Sequence, residues 1–197
     1  RCTLCGVQMP YDETMTCPHC GEKGLLDILF DYGSIKKRFN KDSLALNRDN
    51  SMWRYAPLLP LKPRDFRPFL RVGWTPLYPA GRLGDELGVR ALYVKDDGLN
   101  PTASLKDRAS FLVAAEALRT RARTLVAAST GNAASSLASV CAAAGLKCII
   151  FVPAAAPKAK LVQILMHGAT LLPVRGTYDD AFRLSLEFTT KYGGLNR

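Results

Sequence analysis

The sequence has no apolar run of about 18 residues, so nothing in it reads as a membrane-spanning helix. No charged-then-apolar leader opens it, and no signal peptide is expected. Runs of five or six like charges are missing as well. Lys and Arg come singly or in short groups such as Lys36-Lys37-Arg38 and Arg119 to Arg123, so a dedicated nucleic-acid tail is not expected. Aromatic residues are modest at 9%, and no repeat or low-complexity tract occurs beyond some Ala-rich segments. What is present suits one ordinary globular domain, or a small module attached to a larger one: 197 residues, 48% of them hydrophobic. The formal net charge of +10 points to nucleic acid or, equally, to acidic or phosphorylated small substrates.

The six cysteines divide into two groups. Cys141 and Cys148 lie in apolar surroundings and read as buried core thiols. The other four form a pattern: Cys2-x2-Cys5, eleven residues, then Cys17-x2-Cys20. Gly6 and Gly21 directly follow the two pairs and permit the tight turns that aim two thiolates at one ion. This is zinc-ribbon spacing, and zinc is the expected occupant. Disulfides are the competing reading, which a reducing cytosol disfavours. His19, inside the second knuckle, is expected to be exposed rather than a ligand.

From residue 89 the chain becomes regular. "VRALYVKDD", "TLVAAST", "KCIIFVP" and "TLLPVRG" read as strands, the last weakened by Pro173 and so placed at an edge. "SLKDRASFLVAAEALRTRA", "GNAASSLASVCAAAG", "PKAKLVQILMHGA" and "YDDAFRLSLEFTTKYGG" read as helices. Such alternation predicts an α/β fold: a parallel sheet with flanking helices, binding ligands at the carboxyl ends of its strands. Upstream, residues 24 to 70 suggest a helix or two and an extended segment, and a short helix ends at Gly88.

Two loops at those carboxyl ends carry chemistry. In "DDGLNPTASLKDR", Ser104 and Asp107 fit a capping box, which puts Lys106 near the second helical position. The positive end of the helix, with any burial there, favours a neutral amine at Lys106, suited to Schiff-base chemistry. An exposed first-turn lysine holding an anion is the other reading, and spacing alone leaves both open. In "ASTGNAAS", a strand ends at Ser129-Thr130, Gly131 turns, and a helix begins near Asn132. Free N–H groups there suit a carboxylate or phosphate, and the Asn132 amide suits a ring oxygen. Ordinary N-capping is the plainer alternative.

Together the loops resemble the fold-type II pyridoxal-phosphate enzymes, whose relatives include the tryptophan synthase β chain. "NPTASLKDR" looks like that group's lysine signature, "STGNAA" like its substrate-carboxylate loop, and "GWTPL" at 73 to 77 like its G-x-T-P-L segment. Leu105 stands where the group commonly has Phe. A four-cysteine ribbon ahead of "VKDDGLNPTASLKDRAS" is most similar to the threonine synthase branch. The resemblance implies that Lys106 carries pyridoxal 5′-phosphate and moves protons, and that Asn132 contacts the cofactor's 3′ oxygen. It further implies that Ser129, Thr130 and Gly131 grip the substrate carboxylate, with Thr102 near the substrate. Cys2, Cys5, Cys17 and Cys20 would hold a structural zinc. The implied reaction converts O-phospho-L-homoserine and water to L-threonine and phosphate in a cytoplasmic homodimer, with no nucleic-acid or membrane partner.

The implied division is a ribbon over 1–24, the start of a larger domain over 25–104, and a small α/β domain over 105–193. The remainder of the larger domain is absent, and no glycine-rich phosphate loop follows Lys106. Threonine or serine dehydratases and cysteate or cysteine synthases share the lysine segment and compete with this reading. So does a catalytically dead relative. A ribbon that binds nucleic acid needs clustered basic residues, whereas here Arg1 and Lys23 face Asp12, Glu13 and Glu22.

Overall fold

The structure, a computed structural model, describes residues 1–11, 16–61 and 70–197. Asp12 and Glu13 of the ribbon, and the end of the expected extended segment, lie outside the described residues. The chain divides into two compact units: residues 1–48 with 55–60, and residues 49–54 with 61–197.

In the first unit, β1 (Thr16–Cys17) and β2 (Gly21–Leu25) pair antiparallel, and Cys2 bridges to Leu26. Gly6 and Gly21 take left-handed φ of 73° and 60°, as the two knuckle turns require. Two short helices follow. The Asp31 carboxylate caps α1 (Tyr32–Arg38) by accepting from the Ser34 N–H at 2.9 Å. Asn40 and Ser43 cap α2 (Lys41–Leu46) reciprocally.

The second unit opens with an antiparallel pair, β3 (Leu77–Pro79) and β4 (Tyr93–Lys95), joined through α3 (Gly81–Leu87). Gly88 closes α3 at a φ of 66°. The expected strand over 89–97 is thus short and stands outside the parallel sheet. Alternation alone cannot tell which partner a strand will find. After the short 3-10 turn Asp97–Leu99 come α4 (Lys106–Thr120), β5 (Thr124–Ala128), α5 (Asn132–Ala144), β6 (Lys147–Pro153), α6 (Lys158–Met166), β7 (Thr170–Val174), α7 (Tyr178–Tyr192) and β8 (Leu195–Asn196). The sheet is parallel throughout, in the order β7-β6-β5-β8, with β7 and its Pro173 at the edge as expected.

Side chains alternate across this sheet. Leu125, Ala127, Ile150 and Val152 pack against Ala114, Leu137 and Ile164 of α4, α5 and α6. Val126, Ala128 and Phe151 pack against Ala181, Leu184 and Phe188 of α7. Helices cover both faces, which explains the nearly continuous apolar runs of β5 and β6. Cys141 and Cys148 lie in the first of these cores. The fold is α/β, a parallel sheet with flanking helices, as the sequence predicts.

Candidate active site at the carboxyl ends of the strands

Only residues 121–123 separate α4 from β5, so the chain reverses and α4 begins level with the carboxyl end of β5. α5 begins at that same end, after the loop 129–131. The two helix starts are at equal depth. Ser110 and Ser136, each four residues past its helix's first residue, hydrogen-bond through their hydroxyls at 2.6 Å. Just beyond β8, Arg197 donates to the Ala133 carbonyl at 2.7 Å and to the Lys106 carbonyl at 3.4 Å. Burial lowers the pKa of this guanidinium, and the charge of Asp107 opposes the shift. β6 and β7 continue from β5 on one side, whereas β8 returns on the other. β5 is therefore the topological switch point, where open parallel sheets place their ligand crevice.

Lys106 is the first residue of α4, and its side chain is exposed. The expected capping box does not form. The Ser104 hydroxyl accepts from the Lys106 N–H at 3.1 Å instead. Asp107, fully buried, reaches further back and accepts from the Thr102 N–H at 2.7 Å and the Thr102 hydroxyl at 2.5 Å. Ala103 turns left-handed between them, at a φ of 54°, so the chain closes on Asp107 two residues before a regular box would. A strained non-glycine residue of this kind persists only where its surroundings over-determine it. Thr102 is itself buried, with its hydroxyl engaged by Asp107.

The loop 129–131 is more open. Ser129 and Thr130 are half-buried, and Gly131 and Asn132 are exposed. The Ser129 hydroxyl accepts from the Gly131 N–H at 3.3 Å. No side chain caps α5. The Gly131 carbonyl accepts from the Ala134 and Ser135 N–H groups at 2.9 and 3.2 Å, which leaves the Asn132 and Ala133 N–H groups as the ones an incoming anion could take. A Cβ added at Gly131 would meet nothing within 4 Å, which leaves room for a ligand above the loop.

A third segment braces the lysine loop. The Gly73 N–H donates to Asn100 Oδ1 at 3.0 Å, and the Thr75 hydroxyl donates to Asp97 Oδ1 at 2.7 Å. Arg108 grips Asp97 with two bonds, Nη2 to Oδ1 at 2.7 Å and Nε to Oδ2 at 3.1 Å, and also reaches Thr75. The Lys95 ammonium donates to the Thr75 carbonyl. Arg108, with help from Thr75 and against some burial, holds the Asp97 carboxyl down to a pKa of about 2. Gly73 is at a φ of 84°, and a Cβ there would stand 2.9 Å from Arg108 Nη1 and 3.0 Å from the Met52 nitrogen. The sequence motifs alone do not reveal this brace. Its partners are 11 to 33 residues apart in sequence and leave no periodic signal.

In the first unit, all four ribbon thiols are free, and their sulfurs lie within 4.8 Å of one another. A tetrahedron with Zn–S bonds of about 2.3 Å has sulfur–sulfur edges of about 3.8 Å. The Cys5 and Cys17 sulfurs are 3.7 Å apart. The Cys5 and Leu4 N–H groups point at the Cys2 sulfur and lower its pKa to about 6, whereas the neighbouring Cys5 thiol and burial push Cys20 up to about 12. A Cβ at Gly24 would lie 2.6 Å and 2.7 Å from the Cys17 and Cys20 Cβ atoms, so only glycine passes behind the cluster. His19 is exposed, as expected.

Residues 69–196 match the family described as pyridoxal-phosphate dependent enzyme. The chain belongs to this family. Within it, the chain is 40% identical to threonine synthase of Methanosarcina acetivorans over 186 residues, covering 93% of this chain and 44% of that protein. It is 39% identical to threonine synthase of Methanocaldococcus jannaschii over 182 residues, covering 92% and 44%. Among solved structures, the processed form of threonine deaminase isoform 2 from Solanum lycopersicum superposes with a TM-score of 0.58 at 26% identity, covering 62% of this chain and 34% of that one. The chain therefore spans less than half the length of the curated relatives it matches. The fold-type II reading of "NPTASLKDR" and "STGNAA" agrees with all three similarities. The residues present fit the family's cofactor: Lys106, exposed, begins α4, no side chain caps the start of α5, and the space over Gly131 is open.

Proposed function

We propose that this chain belongs to a pyridoxal-phosphate lyase of the threonine synthase type, converting O-phospho-L-homoserine and water to L-threonine and phosphate. The observation that carries this reading is the pairing of an exposed Lys106 with the open start of α5 at one strand end. The bound cofactor supplies an electron sink for charge that develops at the substrate carbons. Lys106 is its attachment point, and its amine then takes and returns protons at those carbons. Asn132, at the mouth of α5, donates its amide to the cofactor's ring oxygen. The Ser129 and Thr130 hydroxyls, with the open backbone at Gly131 and the dipole of α5, hold the substrate carboxylate. Thr102 supports the same site from the loop that Asp107 closes. The net charge of +10 suits a substrate that is both phosphorylated and carboxylated.

Cys2, Cys5, Cys17 and Cys20 are proposed to hold a structural zinc, since four sulfurs close a tetrahedron and leave no position for a reacting water. The ribbon is assigned to 1–24, the start of the larger domain to 25–104 and the small domain to 105–193. A cytoplasmic homodimer acting on small molecules completes the reading.

The similarity to a threonine deaminase supports a second reading, a dehydratase on the same scaffold. One assay separates the two. In the full-length protein, O-phospho-L-homoserine should release phosphate and threonine in equal amounts, and Lys106→Ala should slow this by about 10²-fold or more. A keto acid formed from threonine, with no phosphate released from the phosphorylated substrate, would replace the first reading with the second.

A further inference from the structure

Ser110 and Ser136 are fully buried, and their hydroxyls bond to each other between α4 and α5. On the same two helices Phe111, Ala114, Ala134, Leu137 and Ala138 are fully buried. Small apolar side chains let α4 and α5 approach closely, but they specify register poorly, because alanines slide past one another at little cost. A buried hydroxyl pair favours one register, since a shift breaks the bond between the two helices and leaves each serine only the carbonyls of its own helix. Each serine lies one turn inside its helix, directly behind Lys106 or Asn132. We infer that the Ser110–Ser136 pair is a positioning device: it fixes the depth of the Lys106 amine against the Asn132 amide, so that one planar cofactor reaches both. This rests on the roles proposed for those two residues.

The test uses four proteins: the unaltered chain, Ser110→Ala, Ser136→Ala and the double variant. Each single variant strands one buried hydroxyl. The double removes both, and its urea midpoint should return close to that of the unaltered chain. Each protein is mixed with pyridoxal 5′-phosphate and reduced with borohydride. The modified lysine is then mapped by mass spectrometry, and the induced circular dichroism of the bound cofactor is recorded before reduction.

If the pair sets register, the double variant is as stable as the unaltered chain but labels Lys106 at least fivefold less and loses most of the induced dichroism. If the pair only adds stability, labelling follows the urea midpoint and the double variant labels normally, which overturns the inference. Absence of Lys106 labelling in the unaltered chain would overturn both the proposed role of Lys106 and this inference. Normal labelling there with no change in the double would overturn the inference alone.

Discussion

Asp97→Asn tests the brace between the lysine loop and residues 73–75. In the folded protein, Arg108 and Thr75 hold the Asp97 carboxyl at about 2, against an ordinary value of 3.8. Each unit of pKa corresponds to about 1.4 kcal/mol, so the ionised carboxylate contributes at most about 2.5 kcal/mol. The Asp97 side chain is a quarter exposed and that of Arg108 a third, so solvent screening reduces this to about 1–2 kcal/mol. The folded pKa is depressed, so the contribution is fully present above the ordinary carboxylate value and is lost as pH falls through about 2. Trp53 and Trp74 are the chain's two tryptophans and both lie in the second unit, so their fluorescence reports its unfolding in urea. At pH 7, Asp97→Asn should lower stability by about 1–2 kcal/mol with an unchanged slope against urea. Between pH 5 and pH 2.5 the two proteins should converge. If they stay parallel down to pH 2.5, or are equal at pH 7, the ion pair is not what fastens the loop.

Gly24→Ala should disrupt the four-cysteine cluster, because the new Cβ would sit within 2.7 Å of two cysteine Cβ atoms. Zinc bound per chain, measured by mass spectrometry of metals after dialysis, should fall from about one to near zero. Gly73→Ala meets both a left-handed backbone and Arg108, and should cost about 1–3 kcal/mol by urea unfolding. Thr102→Val leaves the buried Asp107 carboxylate short of a donor and should cost about 1–3 kcal/mol, with labelling of Lys106 by pyridoxal phosphate reduced in parallel.

Much of the second unit was legible in the sequence. Apolar runs bounded by Gly, Pro and polar clusters marked β5, β6 and β7, and Ala-rich stretches closed by Gly145 marked α5. The failures have physical causes. β8 has two residues, too few to show alternation, and is a strand only through its pairing with Leu125 and Val126 of β5. β4 alternates as a strand should, yet pairs antiparallel with β3, a choice set by the tertiary path. At the lysine loop, Ser104 and Asp107 have the spacing of a capping box, but the left-handed turn at Ala103 brings Thr102 within reach and Asp107 takes that donor instead. The positions of Lys106 and Asn132 were legible from their motifs. The hydroxyl pair behind them was not, since two serines 26 residues apart carry no local pattern.

The measurement that bears most directly on the proposed site is where pyridoxal 5′-phosphate attaches. The chain is mixed with the cofactor, reduced with borohydride and mapped by mass spectrometry, with Lys106→Ala as control. One label at Lys106, absent from the control, is the expected result. Labels scattered over many lysines, or a pattern unchanged by Lys106→Ala, would contradict the assignment of Lys106 as the cofactor's anchor.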